Sequence, residues 1–224
     1  MRLFGRRPRP HTPHTTRYTY YTLHVIDMTL WIKICGLTTE AGVKAALDAG
    51  VDALGFVFAP SSRQVSAQRA ADLARSAPPH VARVAVMLHP AQALVDEVWS
   101  VFRPDVLQTD IEDLTTLRTP AGLQLMPVVR DGASTAAALP ARILFEGAVS
   151  GRGETADWKA ASQLARIREV VLAGGLSATN VGDAIAQVRP FGVDVSSGVE
   201  SAPGVKDPLR IHEFVRNARA GANR

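Results

Sequence analysis

Residues 170–200 read VVLAGGLSATNVGDAIAQVRPFGVDVSSGVE, and this stretch decides the fold. A short apolar run at 170–173 ends on Gly174-Gly175, a segment of helical spacing follows at 178–188, and a second apolar run occupies 193–196. A β-branched run bounded by turn formers reads as a buried strand, and the longer periodic segment after it reads as a helix. Two strands joined through a helix lie parallel in one sheet. The second strand also runs into a glycine turn, Ser196-Ser197-Gly198, so the same punctuation recurs at corresponding strand ends.

The same alternation continues outward from this unit. Strands are expected at 31–35, 53–58, 83–88, 106–109, 123–129, 142–146, 170–173 and 193–196. Helices are expected at 39–49, 66–76, 90–102, 111–117, 132–139, 157–165, 178–188 and 208–218, the fourth being the weakest pattern. Eight βα units predict an α/β fold, a single (β/α)8 TIM barrel, rather than a doubly wound open sheet of five or six strands. Residues 28–224 supply about 25 residues per unit, so the loops must be short and a second domain has no room.

Composition supports a soluble globular chain: 224 residues, 46% hydrophobic and 21% charged. The net charge of +4 invites a nucleic-acid reading, but residues 1–27 carry five arginines against Asp27 alone, 5 − 1 = +4. The remainder holds 20 basic and 20 acidic residues, so no nucleic-acid partner is expected of it. The Arg-, Pro- and His-containing segment 1–27 is expected to be an unstructured leader, and Met28 stands just before the first strand. Its prolines break the amphipathic helix of a transit peptide, and it lacks the apolar core of a signal peptide. No apolar run reaches the roughly 18 residues of a membrane span. The single cysteine, Cys35, cannot form an internal disulfide, which points to the cytoplasm.

In a barrel of this kind catalytic groups collect at the C-terminal strand ends, which narrows the search to eight loops. Cys35 closes the first strand in Lys33-Ile34-Cys35-Gly36. A lone cysteine is commonly a small core hydrophobe, but this position sets the thiol at the rim, with Lys33 as a cation that favours thiolate. Arg63 follows the second strand, where a planar guanidinium can clamp a carboxylate in bidentate fashion; the alternative is a solvated surface arginine. Ser66 caps the next helix. Gly174, Gly175, Ser196, Ser197 and Gly198 form two loops suited to phosphate, with backbone N–H groups, hydroxyls and an expected short helix N-terminus after the eighth strand. Glu146 ends the sixth strand, a position where partial desolvation suits general-acid work; the alternative is a rim ion pair with Arg152. Three strand steps separate it from Cys35, so the two should face each other across the mouth.

Four of these segments together resemble one family. Lys-Ile-Cys-Gly at 33–36, Gly-Phe-Val-Phe at 55–58 followed by Arg63, Ala-Gly-Gly-Leu at 173–176 followed by Asn180-Val181, and Val-Asp-Val-Ser-Ser-Gly-Val-Glu at 193–200 with Pro-Gly-Val-Lys-Asp at 203–207 resemble the phosphoribosylanthranilate isomerases of tryptophan biosynthesis. The resemblance spans about residues 30–218. It implies an Amadori rearrangement of N-(5-phosphoribosyl)anthranilate without metal or organic cofactor, on a small phosphosugar-anthranilate substrate, by a monomer or homodimer. It implies Cys35 as the base for the sugar C2 proton and Glu146 as the acid for the ring oxygen. Lys33, Arg63, Gln108 and Asp194 would contact substrate, Arg63 at the anthranilate carboxylate. Gly174, Gly175, Ser196, Ser197 and Gly198 would hold phosphate.

The chain departs from the family pattern in three places. Glu146 stands where aspartate is usual, moving the carboxyl by roughly an ångström. Leu107-Gln108-Thr109-Asp110 stands where Gln-Leu-His-Gly is common, and Met87-Leu88-His89-Pro90 replaces Val-Gly-Val-Phe; His89 reads as a solvated helix-start histidine. Two further readings stay open: a bifunctional barrel that also isomerises the histidine-pathway aminoaldose, which typically has aspartate where Cys35 stands, and a catalytically silent binder of phosphate ligands.

Overall fold

The computed structural model describes residues 30–130, 139–147 and 156–223. The expected leader at 1–27, nearly all of the expected helix at 132–139 and the Gly-rich stretch 150–155 with Arg152 lie outside the described residues. Eight parallel strands close into a barrel: β1 Trp31–Cys35, β2 Ala53–Val57, β3 Ala82–Val86, β4 Val106–Asp110, β5 Gln124–Arg130, β6 Arg142–Glu146, β7 Glu169–Leu172 and β8 Gly192–Val195. Closure is made by β1, which pairs with both β2 and β8. Helices α1 Glu40–Asp48, α2 Ala67–Leu73, α3 Gln92–Val101, α4 Trp158–Ala165, α5 Val181–Val188 and α6 Pro208–Ala222 cover the outside.

Alternation along each strand sorts the core into two layers. On β1, Ile32 and Ile34 pack outward in the large cluster shared with the helices, and on β2 Leu54 and Phe56 do the same. The intervening positions fill the barrel: Ala53, Val84, Val106, Met126, Val128, Leu144, Val171 and Ala173 form a separate inner cluster. Strands buried on both faces are predominantly apolar, which is why most read as runs rather than alternations. Side chains at the N-caps start the helices. Thr39, Ser66, Asp157 and Asp207 each accept from backbone N–H groups of the first turn, and Pro208 follows Asp207 at N1.

Three expectations are revised. The segment after β4 is a 3-10 turn, Ile111–Thr115, not an α-helix. The short helix expected after β8 is a single 3-10 turn, Ser197–Val199, too short to carry a useful macrodipole. The next segment, in which no element was expected, forms an antiparallel ribbon of β9 Glu200–Ala202 and β10 Val205–Lys206. This ribbon lies beside the loop after β1, where the Thr38 hydroxyl donates to the Gly204 carbonyl.

Candidate active site

A cavity of about 250 Å³ opens at the C-terminal ends of the strands, and every strand or the loop after it contributes to its wall. Cys35 and Glu146, predicted to confront each other, both line it. So do Arg63, Gln108, Gly174, Gly175, Asp194, Ser196 and Ser197. Lys33 and Gly198 do not, and each has a structural reason.

Lys33 sits one inward-facing position below Cys35 and has no exposed surface. Its ammonium meets Asp194 Oδ1 at 2.9 Å, level with it on the neighbouring strand. Burial disfavours the charge, yet Asp194 and the Cys35 thiol outweigh that and hold Lys33 above the usual lysine range. The lysine is therefore a floor beneath the site, not a group that touches a ligand. Burial also pushes the Cys35 thiol up, Lys33 pulls against it, and Asp194 adds to the rise. The net direction is upward, so the expectation that Lys33 alone would favour thiolate is corrected: desolvation wins.

At one end of the cavity, Gly174 and Gly175 turn the chain with φ of +86° and +63°, values that L side chains resist. The Asn180 side chain fixes this turn, accepting from the Ser177 N–H at 2.8 Å and donating to the Gly175 carbonyl at 2.9 Å. Gly198 belongs to the packing between the two turns. A Cβ there would stand 1.9 Å from the Leu176 carbonyl oxygen, so only glycine lets the β8 turn lie against the β7 turn. Two hydroxyl-bearing turns pressed together at one end of the cavity are the kind of arrangement that anions favour.

Arg63 does clamp a carboxylate in bidentate fashion, but it is Glu200's, through Nε at 2.7 Å and Nη2 at 2.8 Å. Lys206 Nζ donates to the same carboxylate at 2.7 Å and to the Ser196 carbonyl at 3.0 Å. Burial pushes the Glu200 carboxyl up, but Arg63 and Lys206 hold it below the usual carboxylate range, while burial holds Lys206 below the usual lysine range. Thus β9 and β10 fix both Arg63 and the Ser196 turn, whose hydroxyl donates to the Cys35 carbonyl at 3.1 Å.

The opposite wall is built from β4, β5 and β6. Arg130 reaches Asp110 Oδ1 at 2.7 Å and Glu146 Oε1 at 3.2 Å. Gln108 is buried, and its Oε1 has no partner among the described residues, leaving an acceptor for a ligand hydroxyl or N–H. His89 lies outside the cavity, two-thirds exposed, with Nδ1 2.8 Å from Asp113. Apolar surface from Val57, Val86, Met87 and Leu88 completes the wall.

Glu200, Lys206, Asp110, Arg130 and Asn180 were not singled out as site residues. Asp110 and Arg130 end their strands, so the rule that pointed to Glu146 pointed to them as well. Glu200 and Lys206 lay inside the quoted motifs, but their partner Arg63 is 137 residues away from Glu200.

Comparison with known proteins bears on this geometry. The family model for N-(5'-phosphoribosyl)anthranilate (PRA) isomerase matches residues 32–217. An N-(5'-phosphoribosyl)anthranilate isomerase of Bradyrhizobium sp. (strain BTAi1) is 39% identical over 213 residues, covering 86% of this chain and 97% of the relative. A phosphoribosyl anthranilate isomerase crystallised with reduced 1-(o-carboxyphenylamino)-1-deoxyribulose 5-phosphate superposes with a TM-score of 0.71 at 31% identity, covering 85% of this chain and 99% of that one. Monomers of the dimeric isomerase of Thermotoga maritima superpose with a TM-score of 0.70 at 31% identity, again over 85% and 99%.

Proposed function

This chain belongs to the N-(5'-phosphoribosyl)anthranilate isomerase family, and from that premise we propose which of its residues carry the reaction. The protein is an isomerase of tryptophan biosynthesis. It converts N-(5'-phosphoribosyl)anthranilate to 1-(2-carboxyphenylamino)-1-deoxyribulose 5-phosphate, an internal redistribution of hydrogen with no net oxidation.

The reaction needs one acid and one base. Protonated Glu146 gives its proton to the ring oxygen; the C1–O bond breaks with its electron pair going to oxygen, and the anilinic nitrogen lone pair forms the C1=N bond of an open-chain iminium. Cys35, as thiolate, then takes the proton from C2, and the C2–H electrons flow toward nitrogen to give an enolamine. Tautomerisation of the enolamine, with a proton added at C1 and one lost from the C2 hydroxyl, yields the ketone. Two positioned proton transfers of this kind contribute about 10²–10⁴-fold each. The observation that carries the reading is that Cys35 and Glu146 share one cavity with the two glycine-serine turns at its end.

The phosphate is assigned to Gly174, Gly175, Ser196 and Ser197, with Gly198 keeping the two turns in contact. With Nε and Nη2 of Arg63 engaged by Glu200, the anthranilate carboxylate is assigned to the remaining edge of that guanidinium. Gln108 and Asp194 orient the sugar, and Lys33 acts through Asp194 and Cys35. We further take 1–27 as an appendage, 28–224 as the catalytic barrel, the working unit as a monomer or homodimer, and the location as cytoplasmic; among the described residues no helix is long and apolar enough to cross a membrane.

The test is fluorescence-monitored consumption of phosphoribosylanthranilate by the wild type, Cys35→Ser and Glu146→Gln. Each substitution should lower turnover by about 10²–10⁴-fold with little change in product affinity. Full turnover in either variant removes that residue from the mechanism. Assaying the histidine-pathway aminoaldose alongside tests the bifunctional reading, and product binding without wild-type turnover would mark a silent binder.

A further inference from the structure

Asp110, Arg130 and Glu146 end three adjacent strands, β4, β5 and β6, and all face the cavity. Arg130 is level with Glu146 in the sheet register and divides its guanidinium, Nη1 to Asp110 at 2.7 Å and Nη2 to Glu146 at 3.2 Å. The Asp110 side chain is 5% exposed and that of Glu146 15%. Asp110 therefore holds the shorter and more buried contact.

A guanidinium beside a general acid poses a difficulty, because it favours the carboxylate, which has no proton to give. Counting charge resolves it. Were Arg130 paired with Glu146 alone, the pair would be neutral only with Glu146 ionised. With Asp110 present, these three groups, counted among the described residues, sum to zero when Glu146 keeps its proton and to −1 when it is lost. In a largely desolvated wall the neutral arrangement is favoured.

We propose that Asp110 is a positioning residue for the isomerase reaction: by neutralising Arg130 it lets Glu146 hold the proton destined for the sugar ring oxygen. The inference rests on the assignment of Glu146 as the acid. Among the described residues, the other ionisable groups on the cavity wall are Cys35, Arg63 and Asp194. Behind Asp110, His89 Nε2 stands 3.6 Å from Oδ2, with its ring held by Asp113, which also accepts from the Thr109 hydroxyl. The trio also joins two of the strand ends where this sequence departs from the family pattern, Asp110 on β4 and Glu146 on β6.

The experiment compares full-length wild type, Asp110→Asn, Arg130→Met, the double variant, Asp110→Glu and Glu146→Gln. Turnover is read by fluorescence, and the Glu146 carboxyl is titrated by 13C NMR, its resonance assigned by its absence from Glu146→Gln. Asp110→Asn should move the Glu146 titration about one pH unit lower and reduce kcat at neutral pH about tenfold, with KM within about twofold. Arg130→Met should move the titration the other way. The double variant should return it toward wild type, and Asp110→Glu should preserve it. The proposal is overturned if Asp110→Asn leaves the titration in place, or if the double variant is as impaired as Asp110→Asn, the result of a merely structural role. Should Asp110→Asn fail to fold, the Arg130→Met titration decides: an unmoved midpoint overturns the proposal. Full turnover by Glu146→Gln overturns the acid assignment and this inference together, whereas an inactive Glu146→Gln with a silent Asp110→Asn overturns the inference alone.

Discussion

A methyl group at position 198 has no space to occupy. Built on the Gly198 backbone, it stands 1.9 Å from the Leu176 carbonyl oxygen, 3.0 Å from the carbonyl carbon and 3.2 Å from Ser177 Cα. A carbon–oxygen contact normally lies near 3.3 Å, so Gly198→Ala must part the β7 and β8 turns by about 1.4 Å or rotate the Leu176 peptide. A backbone N–H bonded to phosphate at about 2.9 Å would then stand beyond 4 Å, which is no hydrogen bond. One charge-assisted bond lost from the phosphate contributes about 1.5–3 kcal/mol, so KM and the product Kd should rise on the order of 10- to 100-fold. The kcat should fall less, because the contact itself is between Gly198 and Leu176–Ser177 and does not include the Cys35 thiol or the Glu146 carboxyl. Overpacking should also lower stability by about 1–3 kcal/mol. The assay is steady-state turnover followed by fluorescence, with product and inorganic phosphate titrated by calorimetry, and Gly182→Ala serves as the control. A Cβ at Gly182 meets nothing within 4 Å, so that variant should bind normally and gain about 0.5–1 kcal/mol from helix propensity. A folded Gly198→Ala protein with unchanged KM and phosphate affinity would refute the placement of the phosphate between these turns.

Other expected outcomes concern the floor and the ribbon. Because burial raises the Cys35 thiol, its ultraviolet thiolate titration should lie above the ordinary thiol value; Lys33 opposes that rise, so Lys33→Met should move the midpoint higher still, with turnover at neutral pH falling about tenfold per unit. A midpoint that moves lower would contradict the sign. Lys33→Met also leaves Asp194 buried without its cation and should cost about 3–5 kcal/mol in urea unfolding. Glu200→Gln removes the charge that Arg63 and the buried Lys206 share, and should destabilise by about 3 kcal/mol while raising KM more than it lowers kcat; equal effects on both constants would argue against Arg63 as a substrate-binding group. Deleting residues 1–27 should leave activity and melting temperature unchanged, and a large loss of either would show that the leader contributes to the barrel.

What the sequence determined by itself was local. All eight strands were legible to within one or two residues at each end, because turn residues and helix caps are neighbours in the chain, and strands buried on both faces announce themselves as apolar runs. The strand-end rule then pointed to Cys35 and Glu146, and the family resemblance to Gln108 and Asp194; all four line one mouth. Tertiary structure alone decided the partners. It set Lys33 beside Asp194 across 161 residues, gave the Arg63 fork to Glu200 and brought Arg130 to both Asp110 and Glu146. Nor does any local pattern show that desolvation outweighs Lys33 at the Cys35 thiol, since that balance depends on how completely eight strands exclude water. Backbone pattern is written in spacing along the chain, whereas charge pairing and dielectric arise only when distant segments close around the same volume.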